Sequence, residues 1–247
     1  MAPSPKISVC IPMYNTALFI KDCINSVLSQ SFQDFELLVV DDGSTDNSCD
    51  IVKNIKDNRV RLIQNQHDYV GSLNLLLDEA KGEYIAKMDA DDVMCANRLT
   101  LQYEYMENHP DVDFIGGRMA VFKQSTKEPL YDLNVKSGSL CISDLLDNCC
   151  ICHPTVMFRA ASINGKEKFR YDKQMAYAED YDLWMRMLAS GKKFVNLDKV
   201  VTFYRLHEQQ VTTCHHEEQA QKTQIIRAWA LKKQIELESK AFHEPAF

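Results

Sequence analysis

The stretch Glu83-Tyr84-Ile85-Ala86-Lys87-Met88-Asp89-Ala90-Asp91-Asp92 decides how this chain reads. Its first six residues carry a strand signal that runs without a break into three aspartates. Carboxylates crowded at one strand end repel, and one of them takes a raised pKa unless a cation lies among them. Hard oxygen ligands of this kind suit Mg2+ or Mn2+. The competing reading is a solvated turn whose aspartate caps the next helix, and these residues alone leave both open.

Outward from this stretch, the first half of the chain alternates strand and helix signals. Apolar, β-branched runs at Lys6–Pro12, Phe35–Val40 and Val60–Ile63 read as strands, with another at Val112–Gly116. Helical spacing marks Leu18–Ser29, a segment ending at Ile55, Leu73–Ala80 and Arg98–Asn108. Links this short imply right-handed crossovers and a mostly parallel sheet. Ligands of such sheets lie at the carboxyl ends of the strands, where these acidic clusters fall. Asp41-Asp42-Gly43-Ser44 closes the second strand, and Ser44 or Thr45 is the expected N-cap of the helix that follows. Two aspartates exceed what the turn needs, and a carboxylate here can accept from a base N–H or a ribose hydroxyl.

The second half is less regular. Residues 118–150 read as polar loops, His153–Arg159, Phe194–Leu197 and Val200–Tyr204 as strands, and Tyr181–Ser190 and 215–240 as helices. Glu179-Asp180 precedes a helix, so Asp180 is either a charge favoured by the helix dipole or a general base facing the cleft. His207 reads as a ligand, a phosphate contact or a surface histidine. Trp184 and Tyr181, at helical spacing, read as core or as a sugar platform.

Composition narrows the classes. Thirty-five acidic against 28 basic residues leave a net charge of −7, which repels nucleic-acid phosphates. No apolar run approaches the ~20 residues that span a bilayer. The start Met-Ala-Pro-Ser-Pro-Lys lacks a secretory signal, and the nine scattered cysteines suit reduced thiols, so a cytoplasmic location is expected. Cys149-Cys150-Ile151-Cys152-His153 offers zinc ligands but no second, separated pair, and buried or surface thiols are the simpler reading. Phosphate-cradling glycine loops and the GxSxG and HExxH signatures are absent.

The order of motifs goes further. Ile11-Pro12-Met13-Tyr14-Asn15, Asp41-Asp42-Gly43-Ser44-Thr45-Asp46, Lys81-Gly82-Glu83-Tyr84-Ile85 and Met88-Asp89-Ala90-Asp91-Asp92 follow one another. After them come Arg98-Leu99, Gln102, His153-Pro154-Thr155, Glu179-Asp180-Tyr181-Asp182-Leu183-Trp184 and Tyr204-Arg205-Leu206-His207 with Gln210. This series resembles the family 2 glycosyltransferases of GT-A fold, from about Lys6 to Thr212. The resemblance implies an α/β fold with a Rossmann-like, mostly parallel central sheet, and an inverting enzyme using a nucleotide sugar, with UDP as the expected carrier. It implies a GT-A domain over 1–212, with a nucleotide-binding half at 6–117 and an acceptor half at 118–212, and a helical extension at 213–247.

The same resemblance implies roles. Pro12, Tyr14 and Asp42 would hold the base, Asn74 the donor, Asp89 the ribose or metal, and Asp91 the metal. Asp180 would be the catalytic base. His153, Glu179 and Trp184 would face acceptor or phosphate. Arg205 and His207 would close over the diphosphate, with His207 completing the shell of Mn2+ or Mg2+. The acceptor would be a carbohydrate or lipid-linked sugar in cell-surface glycan synthesis. The lack of a QxxRW motif after Asp180 argues against a processive membrane-embedded synthase. The C-terminal helix, with Arg227, Lys232 and Lys233, would pack on its own domain, on a second copy, or peripherally at the inner face of the membrane. Two other readings are a sugar nucleotidyltransferase and an inactive nucleotide-binding protein. The first is disfavoured because Pro12-Met13-Tyr14-Asn15-Thr16 has no glycine or basic residue, the second because Asp42, Asp89, Asp91 and Asp180 are all present.

Overall fold

The computed structural model describes residues 4–123, 125–208, 210 and 215–243. Strands β1 (Ile7–Met13), β2 (Phe35–Asp41), β3 (Val60–Gln64) and β4 (Tyr84–Lys87) form on the apolar runs. They pair in parallel in the order β3-β2-β1-β4. Helices α1 (Ile20–Leu28), α2 (Ser48–Lys53) and α3 (Tyr69–Glu79) carry the chain back between them. Side chains alternate across the sheet. Cys10, Leu38, Val40 and Ile85 enter one core with α3, whereas Val9, Ile11, Leu37, Val39 and Ala86 enter another with α1. Cover on both faces is why these strands read as unbroken apolar runs.

Beyond β4 come β5 (Val93–Met94), α4 (Arg98–Asn108) and β6 (Phe114–Phe122). Next are β7 (Tyr131–Leu133), β8 (Gly138–Leu140), α5 (Ile142–Leu146), β9 (Met157–Arg159) and α6 (Ala160–Asn164). The chain closes with α7 (Glu179–Ala189), β10 (Phe194–Arg205) and α8 (His216–His243). β6 and β10 are parallel to each other, and β9 joins them to β4 by antiparallel pairing with both β4 and β6. The sheet is therefore mostly parallel, with antiparallel pairing at β9 and at the short strands β5, β7 and β8.

Several elements differ from the sequence reading, each for a local reason. α2 starts at Ser48 because Asp46, not Ser44 or Thr45, accepts from the Ser48 amide at 2.9 Å. α3 starts at Tyr69 because the Asp68 carboxylate caps it, accepting from the Gly71 amide at 3.0 Å. His153–Thr155 is a 3-10 turn, which suits the fixed φ of Pro154, and only Met157–Arg159 pairs as a strand. The two strands expected at 194–204 are one, with irregular register between Leu197 and Thr202. α8 packs against α5 and α7, with Ile226 and Ala230 buried in the core. Its outer side exposes Ile225, Trp229, Leu231 and Ile235. Among the described residues no helix is long and apolar enough to cross a membrane.

The strand ends are locked by Arg98, whose side chain is fully buried. Its Nη2 donates to the Lys87 carbonyl at 2.8 Å and its Nη1 to the Pro154 carbonyl at 2.6 Å. Nη1 also reaches Thr202 Oγ1 at 3.1 Å, and Nε donates to Gln102 Oε1 at 2.9 Å. Burial pushes the guanidinium pKa down to about 10, so the group stays charged at neutral pH. Arg98→Met removes the donor from the Lys87 carbonyl and Gln102 Oε1, whereas the Pro154 carbonyl keeps the Thr202 hydroxyl at 3.3 Å, and each acceptor that stays dry costs about 1–3 kcal/mol. Urea unfolding should therefore show a loss of at least about 2 kcal/mol. A midpoint unchanged from the parent protein would show that water or neighbouring groups replace the guanidinium.

Candidate active site

The ends of β1 and β2 lie side by side, with Met13 paired to Asp41. The loops that leave them are tied together by Asn15, whose amide oxygen accepts from the Thr45 amide at 2.8 Å. Asn15 holds φ 49°, a left-handed conformation that asparagine tolerates. Asp42 is almost fully buried, at 1% exposure. Its Oδ1 accepts from the Asp68 amide at 2.8 Å and from Ser72 Oγ at 2.7 Å. Oδ2 accepts no hydrogen bond. His67 Nδ1 lies 3.2 Å from that oxygen, without the alignment of a bond, and 3.1 Å from the Asp42 carbonyl oxygen. The His67 ring stands 4.3 Å from Tyr14, which is 43% exposed. Asp42 Oδ2 is thus a buried acceptor without a bond, next to a pair of exposed rings. Pro12 is buried in β1 opposite Val40, two residues past the last β1–β4 pair, where its missing amide breaks no ladder bond with β4.

The second group lies at the end of β4. Lys87 is buried, and its ammonium is hydrogen-bonded to Asp89 Oδ1. Burial pushes the Asp89 carboxyl up, but Lys87 overcomes this and holds it below the usual range. The ammonium occupies Oδ1, and Oδ2 is the carboxylate oxygen that remains for the ribose or the metal expected of Asp89. Asp91 Oδ2 lies 2.8 Å from His207 Nε2, so the structure brings these two residues together in a direct contact. Among the described residues no group of three or more His, Cys, Asp or Glu side chains is arranged to hold a metal. A carboxylate and an imidazole nevertheless fit Mn2+ or Mg2+, which commonly take few protein ligands and complete their shell with phosphate and water. Asp92 is buried, accepts from the Arg205 amide at 2.9 Å, and is pushed well above the usual range by burial and by Asp91. The Arg205 Nε donates to the Asp91 carbonyl at 2.7 Å, and its guanidinium lies 4.6 Å from the Phe122 ring centre and 5.1 Å from that of Phe19. Arg205 thus shapes the aspartate loop from behind.

The third group faces it from α7. Glu179 is buried, and burial and the adjacent Asp180 carry its pKa to about 8. Burial raises Asp180 to about 6, and Asp89 pushes in the same direction. Asp180 Oδ1 accepts from the Tyr181 amide at 2.7 Å, which leaves Oδ2 for a proton. Trp184 is fully buried and packs at 5.7 Å on Phe114 and at 5.6 Å on Phe158. Its role as an acceptor contact is therefore corrected, because no face of the ring reaches the cleft. His153 is buried, and desolvation, then Lys87, push its pKa down to about 3. The imidazole is hydrogen-bonded through Nε2 to Tyr171 Oη at 2.9 Å, and as a neutral ring it brings no charge to this site. Asn74 uses both ends of its amide on the Tyr171 backbone, each at 2.9 Å, and so orients Tyr171 before any donor is present.

Sequence reasoning passed over His67, Lys87 and Tyr171. A lysine inside the apolar run of β4 was a signal, since a buried lysine is rare without a partner. His67 and Tyr171 sit in irregular segments and gave none. The Cys149 and Cys150 thiols donate to the carbonyls of Ile151 and Asp144, at 3.4 Å and 3.6 Å.

Comparison with known proteins identifies the class to which this fold belongs. The model of the family described as Glycosyl transferase family 2 matches residues 8–166. The chain belongs to that family. It is 28% identical, over 92% of its own length and 87% of the other's, to the Escherichia coli protein WfaP. WfaP is named UDP-Glc:alpha-D-GlcNAc-diphosphoundecaprenol beta-1,3-glucosyltransferase. The structure of S. aureus TarS 1-349 in complex with UDP-GlcNAc superposes with a TM-score of 0.74 at 22% identity, covering 90% of this chain and 65% of that TarS 1-349 chain. The mannosyltransferase PcManGT of Pyrobaculum calidifontis, in complex with GDP-Man and Mn2+, gives 0.63 at 17%, covering 99% of this chain and 66% of the other. These two likenesses establish the fold, and the chain spans about two-thirds of each structure.

The raised carboxyl of Glu179 has a consequence for stability. Its folded value of about 8 lies above the ordinary 4.5, so the folded state binds more protons in between. Stability should fall as pH rises through that window and level off above it. Glu179→Gln should flatten the fall, as measured by thermal unfolding at pH 5, 7 and 9 (about two units either side of neutrality). An equal slope in both proteins would show that Glu179 is ionised throughout.

Proposed function

We propose that this chain is an inverting glycosyltransferase, moving a sugar from a UDP-linked donor to a hydroxyl of a carbohydrate or lipid-linked acceptor. Cell-surface glycan synthesis at the cytoplasmic face of a membrane is the setting that suits such an acceptor. One observation supports the reading: Asp180 stands at the start of α7 with Oδ1 fixed by the Tyr181 amide, and its carboxyl is pushed up to about 6 by burial and, secondarily, by Asp89. Residues 6–117 would hold the donor and 118–212 the acceptor.

Asp42 Oδ2 accepts the imide N–H of the uracil, beside Tyr14 and His67. Asp89, kept ionised by Lys87, accepts from a ribose hydroxyl. Asp91 and His207 would hold Mn2+ or Mg2+, which when bound would supply Lewis-acid stabilisation to the departing nucleoside diphosphate. Asp180 Oδ2 takes the proton of the acceptor hydroxyl as its oxygen attacks the anomeric carbon. The bond from that carbon to the diphosphate oxygen breaks on the opposite side, which inverts the centre. UDP leaves with the bonding pair, and the proton remains on Asp180. Glu179, protonated at neutral pH, spares this pocket a second negative charge.

Two variants separate these roles. Asp180→Asn should lower turnover about 10²–10⁴-fold while UDP affinity changes little. In the parent protein the rate should rise with pH through about 6 and then level, because only ionised Asp180 accepts the proton. Equal turnover by the purified variant removes Asp180 from the mechanism. Asp91→Ala should weaken UDP binding about tenfold or more in Mn2+ and leave it unaltered in EDTA, as read by isothermal titration. The same affinity with and without the substitution in Mn2+ would detach Asp91 from the metal.

A further inference from the structure

The turn that leads into Glu179-Asp180 is strained. Tyr177 has φ 72°, in the left-handed region that a bulky side chain seldom enters. Such a conformation persists only where the surroundings hold it. The hold comes from the start of α8. Gln219 Nε2 donates to the Tyr177 carbonyl at 2.8 Å. Lys222 Nζ donates to the Ala176 carbonyl at 2.9 Å and lies 5.5 Å from the centre of the Tyr177 ring. The His215 ring stacks on Tyr177 at 3.9 Å with an interplanar angle of 10°. Glu218 Oε1 accepts from Lys222 at 2.7 Å and fixes the ammonium from its other side.

Positions 215, 219 and 222 follow one another at the spacing of a single helical stripe, so three side chains converge on two residues. On the far side of the turn, the Ala178 amide donates to the Met175 carbonyl at 2.9 Å, and the Ala178 carbonyl accepts from the Asp182 amide at 3.0 Å. The direction in which α7 leaves this turn therefore sets where Asp180 points. Packing alone does not require these polar contacts, because the apolar hold of α8 lies further along, at Ile226 and Ala230.

We propose that the first turns of α8 clamp the 176–177 turn, making Gln219 and Lys222 positioning residues for acceptor activation. They act through the Tyr177 and Ala176 carbonyls and touch no substrate. The proposal rests on Asp180 being the base.

The test uses the full chain as Gln219→Ala/Lys222→Met, with Lys222→Arg and Asp180→Asn beside it. Hydrogen exchange at amides 175–181 should quicken about tenfold or more in the double variant, while β1 to β4 exchange as before. Hydrolysis of UDP-glucose or UDP-GlcNAc in Mn2+, with water as acceptor, should lose about tenfold or more in kcat at unchanged KM. Lys222→Arg, which can still donate to the Ala176 carbonyl, should behave as the parent. Unchanged exchange at 175–181 overturns the clamp, and so does quickened exchange with parental kcat. Parental hydrolysis by Asp180→Asn would instead overturn the base, and the exchange result would still decide whether α8 holds the turn.

Discussion

A buried guanidinium sets the geometry on which everything else depends. β4 pairs with β1 only as far as Lys87, and its antiparallel partner β9 starts at Met157. Between them the backbone carbonyls of Lys87, Pro154 and Val156 turn toward one point, and of the three Val156 alone is met by a strand amide, that of Lys87 at 2.8 Å. A single hydroxyl or amide could not satisfy three carbonyls lying in different directions. Arg98 has five N–H donors in a rigid fork and reaches all three, with Thr202 and Gln102 taking the remainder. Segments more than a hundred residues apart in sequence are thereby fixed at one strand end, and the aspartate loop emerges from that knot.

The same region must settle an excess of carboxyl groups, and each is settled differently. Asp89 is neutralised by a buried ammonium. Asp91 is paired with an imidazole that a metal could share. Asp92 and Glu179 are buried deeply enough that protonation costs less than charge, so both are pushed up. Asp180 is left between these extremes, with a pKa of about 6. A carboxyl poised near the working pH accepts a proton more readily than an ordinary aspartate and is still ionised at neutrality. The pair Glu179-Asp180 thus divides its labour by burial, the inner group holding a proton and the outer one free to take one.

Much of this was legible in the sequence, for a physical reason. Strands covered on both faces must be continuously apolar, so β1, β2 and β4 stand out, and carboxylates placed at their ends mark the cleft. Trp184 shows the limit. Helical spacing puts a residue on a face but does not say whether that face meets solvent, and here it meets Phe114 and Phe158. His153 was legible as a position but not as a charge state, because its desolvation comes from side chains remote in sequence. His67 and Tyr171 lie in loops whose shape is set by tertiary contacts alone, so no periodicity could announce them. Asp68 was hidden as a cap by the aromatic and small residues that follow it.

One route of bonds joins the two ends of the cleft. Asp42 Oδ1 holds Ser72 and the Asp68 amide at the start of α3. One turn further on, Asn74 holds the Tyr171 backbone, and Tyr171 Oη holds His153. The ammonium of Lys173 bonds Asp68, and Arg170 bonds Asp78, so the segment from Arg170 to Lys173 is strapped along the length of α3. A segment tied at so many points cannot swing as a free loop without leaving several polar groups unpaired, each at a cost of about 1–3 kcal/mol if it stays dry. The geometry of this segment is therefore built in by α3. What moves on binding must be sought elsewhere, among groups with few partners, such as the exposed Tyr14 and His67 rings at the opposite end of the same cleft.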